Sequence, residues 1–216
     1  MRYGKALIAL VVLTGGLLHA AAASAQERAV SFANLRFGTT PARVLEAMKS
    51  LKLTPLVNSP DQLFPLDQRF EGELRGRRVL VSALHDPEGR LEKVLIAFLT
   101  PDEDCVPLFR TLKTELLQEY GKPVVDVERW DYPYNKGGHV GQEHFALRIG
   151  RGVLATAWDR LDADTTDGGV SLTTSETMIV RLAYESSRWT AESERRKRIL
   201  TAATQGSSDE SRSSGR

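Results

Sequence analysis

Apolar positions along this chain follow two rhythms, one of helix period and one of strand period. Over residues 40–51, Val44, Leu45, Met48 and Leu51 recur at i, i+1, i+4 and i+7, a single stripe on a helix. Thr40 stands where a side-chain oxygen can cap the free amides, and Pro41 takes the first helical position, where its missing N–H is harmless. A second helix is predicted over 103–120, where Leu108, Leu112 and Leu116 step by four, flanked by Phe109, Leu117 and Tyr120. The acidic residues at its start suit the helix dipole, and Gly121 and Pro123 stop it.

Elsewhere the period drops to two. Residues 66–75 read weakly as a strand, 77–85 alternate clearly through Val79, Val81 and Ala83, and 91–99 form a largely apolar run. Asp86-Pro87-Glu88-Gly89 between the last two is a turn, so the arrangement is an antiparallel meander. The Pro-rich stretch 54–65 cannot be regular throughout. Four further strands are expected at 124–131, 143–149, 153–160 and 178–185, with Gly150 and Gly152 marking the turn between the middle two. The fold class is therefore α+β in two layers, helices packed on one or more antiparallel meander sheets.

The globular region is expected over 26–190. Both parts of it run helix then antiparallel strands, so two halves, 31–122 and 123–187, are the finer division. A charged, helix-compatible segment follows at 191–203, and 204–216 lacks large apolar residues and is expected to be disordered. The run Arg195-Arg196-Lys197-Arg198 offers an anion-binding surface, but Glu192 and Glu194 beside it favour a solvated helix face.

The N-terminus changes the picture of where the chain goes. Arg2 and Lys5 precede the apolar run 6–18 and then Ala23-Ser24-Ala25, the order of a secretory signal peptide over 1–25 cleaved near Ala25. The apolar run, about thirteen residues, is short of the roughly 20 that span a bilayer. The expected product is periplasmic or secreted, without a transmembrane span and, lacking a cysteine near the cleavage site, without a lipid anchor. Cys105 is the one cysteine, so no intramolecular disulfide forms. Acidic neighbours at a helix start disfavour its thiolate, which points to a buried, unreactive thiol.

Composition is that of an ordinary globular protein, 41% hydrophobic and 26% charged over 216 residues. Its 29 basic and 28 acidic residues nearly cancel, which argues against a nucleic-acid binder. No Gly-x-Ser-x-Gly elbow, phosphate loop or dinucleotide fingerprint occurs, so no catalytic residue and no cofactor are expected. His139 and His144 lack the spacing that puts two imidazoles on one helix face, and no metal is expected there. Asp162, Asp164 and Asp167 form a weak calcium candidate, but the glycine falls one place late and Thr173 stands where a glutamate is needed. A polar loop is the plainer reading.

The segment 130–139 holds most promise for binding. Trp130, Tyr132, Tyr134, Asn135 and His139 combine rings and amide as recognition surfaces do. The alternative is that the rings fold back over the end of the sheet. Trp158 and Trp189 read as sheet-face and helix-packing residues.

Leu35-x-Phe37-Gly38-Thr39-Thr40-x-x-x-Val44, followed by meander strands, resembles the small bacterial envelope domains of the SmpA/OmlA (BamE-like) and beta-lactamase-inhibitor-like kind, over about residues 31–123. The resemblance implies helices on an antiparallel sheet and a role in protein association in the cell envelope. The outer-membrane members' lipid-bearing cysteine is absent. The function expected is a soluble, exported, non-catalytic protein-interaction module whose partner is another envelope or secreted protein. A binder of a small ligand or divalent ion is the alternative, and an enzyme of unfamiliar geometry the second alternative.

Overall fold

A computed structural model describes residues 32–57, 62–135, 141–159 and 168–213. The signal-type segment 1–25, His139 and the loop with Asp162, Asp164 and Asp167 lie outside the described residues. Four α-helices and eight strands follow one another as α1 Pro41–Ser50, β1 Thr54–Leu56, β2 Gln68–Leu74, β3 Arg77–His85, β4 Leu91–Phe98, α2 Cys105–Tyr120, β5 Val125–Trp130, α3 Glu143–Arg148, β6 Gly152–Asp159, β7 Gly169–Thr174, β8 Val180–Glu185 and α4 Trp189–Ser213. A 3-10 turn, Asp102–Asp104, leads into α2.

All strands belong to one antiparallel sheet in the order β1-β2-β3-β4-β8-β7-β6-β5. The order is palindromic. Each meander of four strands starts at an outer edge and works inward, and the two final strands, β4 and β8, pair at the centre with Ile96 opposite Leu182. The helix-then-strands order of both parts thus takes the form of one continuous sheet.

Alternation sends one face of every strand from β2 to β8, except β5, into a shared core. Phe70, Val81, Ile96, Leu182, Leu172 and Leu154 are all nearly or fully inaccessible, each from a different strand. The α1 stripe adds Val44 and Met48, and the α2 stripe adds Leu108, Leu112 and Leu116. At roughly 1.5–3 kcal/mol for each such side chain buried, this layer is the main stabilising term. Trp158 lies in the core as expected, donating its Nε1–H to the Gly121 carbonyl at 2.8 Å where α2 ends.

Several sequence expectations need correction. Residues 143–149 form a helix, α3, instead of a strand: Ala146 and Leu147 are both buried, which adjacent strand residues on opposite faces of an edge region are not, and Ala146 donates to the Gln142 carbonyl. Glu, Ala, Leu and Arg are all good helix formers. Strand β7 occupies residues read as loop, with Val170, Leu172 and Thr174 turned inward. The Thr40 side chain makes no cap hydrogen bond, and the neighbouring Thr39 hydroxyl donates to the Arg36 carbonyl instead. Helix α4 runs on through Ser213, beyond Thr204, carried by local bonds such as Thr201 and Thr204 hydroxyls to the carbonyls four residues back. No described helix is long and apolar enough to cross a membrane.

Candidate functional site

The two faces of the sheet are unequal. Helices α1, α2 and α3 cover one, and on the other the central strands carry many small side chains. Register places Leu80, Ala97, Arg181, Thr173, Ala155 and Val127 side by side on β3, β4, β8, β7, β6 and β5. The next row runs Ser82, Leu95, Ala183, Ser171, Ala157 and Val125. With strands about 4.8 Å apart, this floor of small and apolar residues is about 24 Å wide. Val125 and Val127 at one end of the floor remain 44% and 37% exposed, and Leu80 at the other end 38% exposed.

Acids flank this floor on β2, where Glu71 stands opposite Leu80 and Glu73 opposite Arg78, and its middle carries a single cation. Arg181 is half-buried in the middle of the first row, between Ala97 and Thr173, and forms no ion pair among the described residues; nor does Arg78 on β3. The acids of β5 are spent on the opposite face, where α2 holds them: Lys113 to Asp126 at 2.5 Å and Arg110 to Glu128 at 2.5 Å. The outer edge of β5 has no strand partner among the described residues.

The aromatic segment divides between burial and exposure. Trp130 faces the helix side and packs on the core, close enough to Gly152 that a Cβ there would stand 2.5 Å from its ring. Tyr134 is half-buried against Phe145 of α3, ring centroids 6.3 Å apart. Tyr132 is 66% exposed and Asn135 is exposed. Trp130 and Tyr134 therefore sit folded back, Tyr132 projects, and His139 lies outside the described residues.

Helix α4 meets the sheet at one end through buried charge that the sequence reading assigned to a solvated face. Arg196 donates from both arms to Asp67, at 2.6 and 2.8 Å, to the His85 carbonyl at 2.6 Å, and from Nε to Glu192 at 2.7 Å. Its guanidinium lies 4.3 Å from the centre of the Phe64 ring. Asp67 also accepts the His85 backbone N–H. Burial pushes the Glu192 carboxyl up, but hydrogen bonds from Arg195 and Arg196 outweigh it and hold the group below its ordinary value. Two turns before Arg196, Trp189 has Lys93 4.7 Å from its ring centre, and Lys93 pairs with Glu185 at 2.6 Å. Buried Glu92 receives the Ser186 hydroxyl and pairs with Arg188. The sequence carries a partial signal, the i, i+4 spacing of Glu192 and Arg196, which Glu194 and Arg198 share.

Beside this clamp, Leu63, Phe64, Pro65, Leu66, Pro87 and the flanking charged groups line a half-open groove of about 250 Å³ with His85 in its wall. His85 is only 2% exposed, its ring nitrogens shielded from solvent and the Ala83 carbonyl acting on its imidazole. No cluster of three or more His, Cys, Asp or Glu side chains among the described residues could hold a metal ion. His144 sits half-buried on the first turn of α3. Cys105 is fully buried at the start of α2, and burial pushes its thiol up, with Asp104 adding to the effect.

No family model, curated protein or solved structure matches this chain.

Proposed function

We propose that this protein is an exported, non-catalytic interaction module of the cell envelope that binds another protein on the uncovered face of its sheet. The supporting observation is the floor that runs from Leu80 to Val127, rich in small residues and carrying at its middle Arg181, which has no ion pair among the described residues. Short side chains let another backbone approach closely, and an unpaired guanidinium on an apolar surface selects a carboxylate. The partner is thus a protein segment with an apolar stripe and an acidic residue near its centre. The signal-type N-terminus and the likeness to envelope association domains support the setting.

A photo-crosslinking side chain at position 127, used in the native cell, tests this reading. One dominant protein adduct is expected from position 127, absent from a probe at position 200 on α4, and lost with Ala155→Arg or Arg181→Glu in a protein that still folds. Equal adducts at both positions, or none at 127, would overturn it.

A further inference from the structure

We propose that the outer edge of β5 joins the same edge of a second copy of this chain, so that two chains form one continuous sheet about a two-fold axis at Val127. This inference does not rest on the partner surface, which lies on the open face of the sheet and not on its rim.

The sheet has two outer strands, and only one is defended. β1 is three residues long with Pro55 at its middle, and proline offers an edge no donor. β5 is six residues long and holds neither proline nor lysine. The bond from the Asp131 N–H to the Arg151 carbonyl, 2.8 Å, sets the phase of its ladder. Val125, Val127 and Arg129 turn their main-chain groups to β6, and Asp126, Glu128 and Trp130 turn theirs outward, where no described strand meets them.

Apolar surface gathers at this rim on both sides of the sheet. More than half of the large apolar side chains exposed among the described residues fall within 117–153. Val125 and Val127 belong to the open face, and Phe145 and Ile149 to α3 and its C-terminal cap, packed on β6 on the helix face. Paired strands alone are marginal in water, and burial on their flanks makes them hold. A lone peptide strand covers only the rim, whereas a second copy carries helices on the same side of the sheet as well.

Charge and register agree with a second copy. Antiparallel pairing about an axis perpendicular to the sheet keeps each face on its own side. Centred on Val127, it sets Val127 against Val127, Val125 against Arg129 and Asp126 against Glu128. Asp126 and Glu128 then exchange both main-chain hydrogen bonds, twice over. Bare acids would repel there, but Lys113 holds Asp126 and Arg110 holds Glu128, each at 2.5 Å, so the row that crosses the axis is neutral. Moving the axis to 126 or 128 stacks an acid on its own copy.

Sedimentation of the purified protein through the micromolar range should show a dimer, and Arg181→Glu, on the open face, should leave it intact. Glu128→Pro removes an outward N–H and spares the β6 ladder. It should weaken association at least about tenfold relative to Glu128→Ala, which keeps that N–H. Register is read by oxidation. Val127→Cys should give a covalent dimer, since Cα atoms facing each other in such a pair stand about 4.5 Å apart, within disulfide reach. Val125→Cys should not, because its two copies lie about 14 Å apart along the strands. Buried Cys105 does not compete. A photo-crosslinker at 127 then also yields an adduct of twice the chain mass that persists in Arg181→Glu, whereas the partner adduct is lost, so the two readings fail separately. A protein monomeric throughout, which would leave the rim to a strand from a different protein, overturns the assignment. So do equal disulfide yields at 125 and 127, or equal association of the two Glu128 variants.

Discussion

Arg196 and Asp67 form a two-pronged ion pair across 129 residues of sequence, joining the C-terminal helix to the residue just before β2. Both side chains are 9% exposed. A buried pair of this kind is not automatically a net gain over apolar packing, because both ions lose hydration, but removing one partner strands the other. Arg196→Ala or Asp67→Ala alone should therefore destabilise by about 3–5 kcal/mol, and the double variant by clearly less than the sum. Urea denaturation of the four proteins in the cycle measures this directly, and additive losses would show the pair to be uncoupled.

His85 gives the fold a pH dependence of predictable sign. Burial lowers its imidazole below the ordinary 6.5, and Arg196 adds to this, against the opposing pull of Asp67, the Ala83 carbonyl and Asp86. The unfolded chain therefore binds this proton first, so stability is lost as pH falls through 6.5 toward the folded value. Denaturation midpoints should decline between about pH 7.5 and about pH 5.5, and His85→Phe should flatten that decline. Asp86 and Glu192, both held low, add their own losses only below their ordinary 3.8 and 4.5.

Gly152 is a size restriction. A Cβ there would lie 2.5 and 2.7 Å from Trp130 ring atoms and 3.1 Å from Leu147. Gly152→Ala should push the indole outward, destabilising by about 1–3 kcal/mol and red-shifting the tryptophan emission. Trp130→Leu in the same background should recover part of the loss.

The two tyrosines of the aromatic segment should behave differently. Tyr132→Ala, at a position 66% exposed, should change stability by less than about 0.5 kcal/mol. Tyr134→Ala removes the ring contact with Phe145 and should lose about 0.5–1.5 kcal/mol beyond its buried area. Equal losses would mean that both rings are packing residues.

Cys105 should be chemically silent in the native state. It is fully buried and its thiol is pushed up by that burial. A thiol-specific disulfide reagent should label it only as fast as the protein opens, and at once in denaturant. Rapid labelling of the folded protein would contradict the packing at the start of α2.

The elements legible in the sequence were those whose periodicity was carried by large residues. The leucine stripe of α2 and the valines of β3 each had one apolar face against one polar face, and both elements fall where the pattern places them. Strand β7 was missed because its outward residues, Ser171 and Thr173, lie on the floor of short side chains, so nothing large marked the alternation. That same shortness is what makes the open face a surface. Helix α3 is six residues long, too brief for a helical period to declare itself. Arg196 was hidden by its basic neighbours: composition reads the run as solvated, and only the packing singles out the one residue turned inward.

The palindromic strand order has a temporal consequence. β8, which welds the two meanders together, is also the last described strand to be made, and the Arg196 anchor follows it. Until then β4 is left as a bare edge from Lys93 to Phe98, waiting for a partner from the far end of the chain. Pairings of such long sequence separation close slowly. A chain made N-terminus first thus holds only separate meanders until its last strand and helix are available, and it acquires its finished form in one concluding act.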